Sequence, residues 1–144
     1  MATPSPGGVD LSNLIKTMSP SLHNDTCVWI TISPSNSASQ EFLKDNLWNA
    51  EMLFREAEGY TMIITKALAD EADMDYVFPC RKITLNVHSS LEAVGFMAAI
   101  ATRLTSIRTG SNPVSGYYHD HLFLPVGKEG IIVEELKKMA AEQS

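Results

Sequence analysis

The sequence predicts an α+β protein in which helices pack on one face of an antiparallel sheet. Residues 81–88 alternate apolar and polar side chains from Ile83 onward, which is typical of a half-buried strand. The next segment has helical spacing, and residues 112–126 contain two short strand-like runs. A final helix is predicted from about Glu129. Strand, helix, two strands and helix make up most of a ferredoxin-like unit.

The first half of the chain predicts a weaker copy of this order. Residues 1–9 form a tail rich in Pro, Gly and Ser, which is expected to be disordered because it has nothing to bury. Asp10 is expected to cap a short helix ending at Met18, and a strand is predicted over 26–32. The remaining predictions are a loop over 33–39, either a short amphipathic helix or sheet padding over 40–52, a hairpin of 52–56 and 60–66 around Gly59, and a helix over 67–72.

The helix predicted after residues 81–88 runs from Ser90 to about Thr105. Ser89 and Glu92 have the spacing of a capping box at its start. This helix is apolar nearly all round, so it needs a cover besides the sheet. The pattern therefore predicts self-association as a two-fold homodimer, and the alternative is that the other half of the chain covers this helix completely.

Three blocks of the sequence resemble the small bacterial-type ACT-domain proteins. They are FREAEGYT (54–61), VHSSLEAVG (87–95) and GYYHDHLFLP (116–125), in the family's order. The resemblance covers the chain from about Asp10 to Met139. It implies two ACT-like halves, over 10–78 and 79–144. It also implies binding of amino acids or related small effectors, although most members of this group have no assigned biochemical role.

The turn over 86–91 is the strongest candidate site. A strand that enters a helix N-terminus leaves unpaired N–H groups and a partial positive charge, which suit a carboxylate. The resemblance also implies an effector here. We expect an acidic side chain, Asp120 or Glu92, to accept its ammonium group. The predicted ligand-binding residues are Asn86, His88, Ser89, Ser90, Leu91, Asn112, Val114 and Asp120. The alternative is that Ser89 and Glu92 only cap the helix.

Two positions depart from the family pattern. Arg108 lies where a Gly-Ile-Ser type of entry to the following strand is usual, and Pro113 replaces an aliphatic residue after Asn112. Proline removes a hydrogen-bond donor from a strand and belongs at a strand start or edge. These departures put the Asn112 side of the ligand site in doubt.

His119 and His121 suggest a metal site, with His88 as a third ligand. A structural turn is the favoured interpretation, because Asp120 at the centre of a tight turn would bond its own backbone. No catalytic residue, metal or cofactor is predicted. A small-molecule sensor or regulatory protein is the preferred function. The alternatives are a structural or partner-binding dimer with a decayed site and a metal-dependent enzyme that uses His119 and His121.

Composition limits the remaining classes. The chain has 144 residues, 44% of them hydrophobic, and a net charge of −6, which argues against a nucleic-acid surface. No apolar run has membrane-spanning length, and the N-terminus lacks the apolar core of a signal peptide. Cys27 and Cys80 form no C-x-x-C pair and are expected to be reduced, although a single disulfide stays open. The expected location is the cytoplasm.

Overall fold

The computed structural model describes residues 2–3 and 5–143. Over these residues the sheet has six strands, hydrogen-bonded in the order β2-β3-β1-β4-β6-β5, with β1–β3, β2–β3 and β5–β6 antiparallel. The elements in chain order are α1 (Leu11–Thr17), β1 (Pro20–Ile32), α2 (Ser37–Asp45), a 3₁₀ turn (Leu47–Asn49), β2 (Met52–Glu56), β3 (Gly59–Thr65), α3 (Lys66–Glu71), β4 (Val77–Leu85), α4 (Phe96–Ser106), β5 (Asn112–Ser115), β6 (Asp120–Pro125) and α5 (Glu129–Ala141). The predicted α+β, ferredoxin-like class is confirmed.

The chain divides into two compact units. The central unit is Asp25–Cys80, and the terminal unit combines the residues up to Asn24 with those from Arg81 onward. The expected boundary near Phe78 and Pro79 instead falls inside β4. The reason is that β1 and β4 each run through both units, and that α1 packs with α4 and α5. The chain's first helix therefore belongs with its C-terminal half.

The terminal unit has a core between one face of its strands and the helices α1, α4 and α5. The alternation predicted for residues 81–88 accounts for the β4 side of this core, and alternate residues of β6 complete it, because they point to the same face. The core residues are Leu14, Ile15, Met18, Ile83, Leu85, Phe96, Ile100, Leu104, Leu122, Leu124, Ile132, Leu136 and Met139. Burial against α1 and α5 thus accounts for the apolar character of α4.

The central unit has a separate core. It lies between alternate residues of β1 and β3 and the helices α2 and α3, and it comprises Val28, Ile30, Ile32, Met62, Ile64 and Ala69. Segment 40–52, ambiguous in sequence, forms most of α2 and the 3₁₀ turn, and α2 starts early because the Asn36 side chain caps it by accepting from Ser39 N–H. The hairpin around Gly59 is confirmed. A Cβ on Gly59 would lie 2.2 Å from the Ile32 carbonyl oxygen, so only glycine fits.

The start of α4 corrects one prediction. The helix begins at Phe96, not at Ser90, after Gly95 with a φ of +92°. The Ser90 hydroxyl accepts a hydrogen bond from Glu92 N–H, and the Ser90 carbonyl accepts one from Ala93 N–H. These bonds close a local turn instead of a capping box, because serine side chains compete with helix geometry.

The N-terminal tail also differs from expectation. Gly8 pairs with Ser89 as a parallel bridge, donating to the His88 carbonyl and accepting from Ser90 N–H, both at 2.8 Å. The segment is therefore attached to the 86–91 turn instead of free. Met1 and Pro4, which the disorder prediction also covered, lie outside the described residues.

Among the described residues, none of the helices combines the length and apolar character needed to cross a lipid bilayer.

Candidate functional site

A cavity of about 210 Å³ in the terminal unit contains the strongest cluster of polar groups near the predicted turn. We call it the Asp120 cavity. Its lining residues are Ser89, Ser90, Leu91, Ala93, Gly95, Phe96, Met97, Ala98, Ser115 and Asp120. Four of the eight predicted site residues, namely Ser89, Ser90, Leu91 and Asp120, are among them.

Asp120 is the central polar group of the cavity. Its side chain is only 6% exposed, and its carboxylate accepts hydrogen bonds from the Ser89 hydroxyl at 2.7 Å and the Ser115 hydroxyl at 2.5 Å. The sequence had suggested that Asp120 lies at the centre of a tight turn. Asp120 is instead the first residue of β6. A buried carboxylate held by hydroxyls keeps lone pairs for a further donor, such as an ammonium group.

The N-terminus of α4 forms another wall of the cavity. Phe96, Met97 and Ala98 are its first three residues, and no side chain caps the helix. The first N–H groups of an α-helix have no partner inside the helix and carry a partial positive charge. The positive end predicted for the 86–91 turn therefore lies several residues later, but beside the same cavity.

The serines of the turn have different roles. Ser89 directs its hydroxyl to Asp120, whereas the Ser90 N–H is already bonded to Gly8. The Ser90 hydroxyl accepts from Glu92 N–H and keeps its proton for another acceptor. Of the polar groups on these two serines, the Ser90 hydroxyl can therefore donate to a ligand without breaking an existing bond.

His88 belongs to the turn, but it does not line the cavity. Its ring packs against Tyr118 with ring centroids 5.4 Å apart, and against Tyr117 at 6.5 Å. Its Nε2 is buried and has no hydrogen-bond partner among the described residues. His88 thus positions the turn through its ring and through its carbonyl, which accepts from Gly8.

Three other predicted residues lie away from the cavity. The Asn86 side chain donates to the Ser19 carbonyl at 2.8 Å, and the Asn112 side chain donates to the Phe123 carbonyl at 3.4 Å. Val114 pairs with His121 and does not line the cavity. Pro113 sits opposite Leu122 on β5, an edge strand, where its missing N–H costs little.

Sequence reasoning missed Ser115 and the residues at the start of α4. Ser115 pairs directly with Asp120 in the β5–β6 register. A correct placement of that hairpin would have brought the two together, since opposite residues share a face. The α4 residues were hidden by the capping-box pattern, whereas Gly95 was the available signal for a later helix start.

His23 on β1 and His121 on β6 form a separate polar group with Thr84 on β4. Thr84 Oγ1 lies 2.8 Å from His23 Nε2 and 2.9 Å from His121 Nδ1. Burial lowers the pKa of His121, and Lys82, His119 and His23 lower it further. Within the described part of the chain, no three His, Cys, Asp or Glu side chains are grouped to hold a metal ion. His121 is engaged by Thr84, so the structure does not bring His119, His121 and His88 together as ligands.

Comparison with known proteins identifies the fold and the family. The ACT-domain family model matches residues 6–81. A protein of unknown function from Vibrio cholerae, described as a possible transport protein, is 34% identical over 90% of this chain and 95% of that chain, with a TM-score of 0.76. No curated protein matches the sequence.

More distant structures share the fold. The regulatory subunit of aspartate kinase from Thermus flavus has a TM-score of 0.62 at 9% identity, over 85% of this chain and 97% of that chain. The ligand-free subunit from Thermus thermophilus has a TM-score of 0.63 at 10% identity, over 83% and 95%. The family match spans more than half of the sequence and the Vibrio cholerae relative covers nearly all of it. This chain therefore belongs to the ACT-domain family.

Proposed function

We propose that this protein is a non-catalytic regulatory or sensor protein that binds a small amino acid in the Asp120 cavity. The observation that carries the proposal is that a buried carboxylate and an uncapped helix N-terminus line the same small cavity. An amino acid carries one ammonium and one carboxylate, so each end has a complementary group here. The Asp120 carboxylate accepts from the ammonium, and the first N–H groups of α4 with the Ser90 hydroxyl donate to the carboxylate.

The size of the cavity limits the ligand. At about 210 Å³ it is smaller than most drug-sized ligand sites. Met97, Phe96 and Leu91 add apolar surface for a short side chain. The regulatory role is supported by the fold shared with regulatory subunits of aspartate kinase. A cytoplasmic location is supported by Cys27 and Cys80, which are buried and not joined by a disulfide.

The test is calorimetry of the purified protein with each common amino acid. Asp120→Asn should weaken binding of the best amino acid about tenfold or more, because it removes the negative charge but keeps the shape. The new amide N–H₂ group is a donor, so one of the two serine hydroxyls would turn to accept from it. Ala98→Leu should block the cavity. Thr102→Leu, one turn later on α4 and outside the lining, is its matched control.

Two results would count against amino-acid binding in the Asp120 cavity. Binding that also tolerates N-acetylation of the amino acid would contradict the role of Asp120, since acetylation removes the ammonium group. If the parent binds none of the amino acids at millimolar concentration, the decayed-site alternative is favoured. Ser90→Pro is unsuitable as a probe, because it would break the bond from Ser90 N–H to Gly8.

The second candidate function is a partner-binding homodimer. The α4 argument no longer favours it, but an exposed apolar group on the central unit does: Trp48 is fully exposed, and Phe54 on the edge strand β2 is 62% exposed. Edge strands offer unpaired backbone groups to a second copy.

Light scattering at tens of micromolar should then give twice the monomer mass in the parent, and the monomer mass in Phe54→Lys. A parent that stays monomeric rejects this candidate.

A further inference from the structure

We propose that the central unit contains a second, chemically different site, which binds a carboxylate with an apolar body. The site is a cavity of about 390 Å³ between α2 and the β2–β3 hairpin, here called the Tyr60 cavity. Its apolar lining includes Ile32, Leu43 and Tyr60, and its charged lining residues are Lys44, Arg55 and Glu56. All of these residues lie outside the Asp120 cavity.

The strand register directs Arg55 toward the apolar lining. Arg55 and Tyr60 are directly paired across β2 and β3, so their side chains share a face of the sheet. Tyr60 and Leu43 both pack against the core on the helix side. The register thus places Arg55 on the face of the sheet that carries Tyr60, where it lines the cavity.

The charges of the cavity favour an anion. Glu56 follows Arg55 and pairs with Gly59, so its side chain projects to the opposite face, where its carboxylate accepts from the Thr61 hydroxyl. Lys44 is 3.3 Å from Glu41 and is partly neutralised. Arg55 forms no salt bridge within the part of the chain that the structure describes. A planar guanidinium without a partner matches a carboxylate in a bidentate pair.

The shape of the cavity is fixed by the backbone around it. Gly59 lets the hairpin approach the end of β1, where any side chain would collide with the Ile32 carbonyl. The Gln40 side chain donates to the carbonyls of Ser33 and Pro34, which ties the loop before α2 to the helix. The cavity therefore exists before a ligand arrives, and binding does not have to order it.

The contrast with the Asp120 cavity defines the ligand class. The carboxylate among the lining residues of the Tyr60 cavity is that of Glu56, which accepts from the Thr61 hydroxyl on the opposite face, so an ammonium group would mainly meet repulsion from Arg55 and Lys44. The ligand is therefore a carboxylate without an adjacent amino group. The apolar floor selects an aromatic or branched body.

The experiment is amide NMR of the full chain titrated with 3-phenylpropionate, phenylalanine and 3-phenylpropanol. We expect saturable shifts at Leu43, Lys44 and Gly59 with phenylpropionate, and at least tenfold weaker binding of the other two compounds. Arg55→Gln should weaken phenylpropionate binding about fivefold or more, whereas Arg55→Lys should recover part of it. Arg108→Gln, in the terminal unit, is the control and should bind like the parent.

Three results would overturn the proposal: no saturable shift in the central unit, equal binding of the alcohol, or an unchanged affinity in Arg55→Gln. Asp120→Asn should leave phenylpropionate binding intact. Failure of the Tyr60 site is thus distinguishable from failure of the function proposed for the Asp120 cavity.

Discussion

The buried Asp120 carboxylate of the terminal unit is bonded by a side chain that lies far away in the sequence. Ser89 and Asp120 are 31 residues apart and meet at 2.7 Å. Leaving a buried acceptor without a donor costs about 1–3 kcal/mol. Such a pair is invisible to patterns of apolar residues, because only the finished fold brings the two side chains together.

Ser89→Ala should lower the free energy of unfolding by about 1–3 kcal/mol, since it removes one of the two hydroxyl donors to the buried Asp120 carboxylate. Urea denaturation measures the change. Ser12→Ala is the matched control, because its hydroxyl bonds Gln143 at the exposed surface, and it should change stability by less than about 0.5 kcal/mol. Equal losses in both variants would contradict the structural role of Ser89.

His121 should make the protein less stable as the pH falls below neutrality. Its pKa in the folded state lies below 6.5, first because of burial and then because of Lys82, His119 and His23, whereas Asp120 opposes the shift. The unfolded chain therefore binds the proton more readily. The stabilising effect of a neutral His121 is complete above pH 6.5 and is lost as the pH falls toward the folded pKa.

Urea denaturation across pH 5 to 7.5 tests this titration. His121→Gln should reduce the slope of stability against pH below 6.5. Lys82→Met should raise the pKa of His121, seen directly by imidazole NMR, because it removes a nearby positive charge. An unchanged slope in His121→Gln would assign the pH dependence to other groups.

Secondary-structure elements were predictable where the local pattern and the tertiary environment agree. Asp10 caps α1 by accepting from Asn13 N–H at 2.8 Å, as its residue type indicates, and the hairpin at Gly59 and helix α5 are likewise confirmed. The predicted start of α4 was wrong because Ser89 and Glu92 match a capping box by spacing alone. The cover of α4 was also hidden, since helix α1 reaches it from the other end of the sequence.

The attachment of the N-terminal segment to the 86–91 turn requires a glycine at position 7. Gly7 has a φ of +91°, and a Cβ there would lie 2.7 Å from the His88 carbonyl oxygen. Gly7→Ala should detach the segment and speed deuterium exchange at the Ser90 amide, which donates to Gly8. Gly110→Ala is the control, because it has open space and no positive φ. Unchanged protection of Ser90 in Gly7→Ala would show that the segment tolerates the side chain.

Two glycines at helix starts should respond with opposite signs. Gly95→Ala should destabilise the protein by about 1 kcal/mol, because its φ of +92° disfavours any side chain. Gly130→Ala, inside α5 with no atom within 4 Å of the new Cβ, should stabilise it by about 0.5–1 kcal/mol. Thermal melts measure both variants. Shifts of the same sign would contradict this assignment.

At the scale of the whole molecule, the two apolar cores are separate, but two strands continue from one unit into the other. β1 and β4 each contribute residues to both the central and the terminal unit. Unfolding of one unit therefore removes strands that the other requires. This sharing of strands predicts a single cooperative transition, as is usual for chains of this length.

Ile64→Ala in the central core and Leu104→Ala in the terminal core test the shared transition. Both residues are 0% exposed, so each variant should lose about 2–5 kcal/mol. Each should move one common urea midpoint, followed by far-ultraviolet circular dichroism. Val126→Ala, at an exposed position, is the control. Two separated transitions in either core variant would contradict cooperative unfolding.

The distribution of the tryptophans has a consequence for spectroscopy. Trp48 is fully exposed, Trp29 lies edge-on to Phe78 at 6.4 Å, and both belong to the central unit. Iodide should quench the first strongly and the second weakly, so their emission reports on residues 25–80. Ligand binding in the Asp120 cavity should instead perturb the ultraviolet absorption of Tyr117 and Tyr118, whose rings lie 5.0 Å apart beside His88.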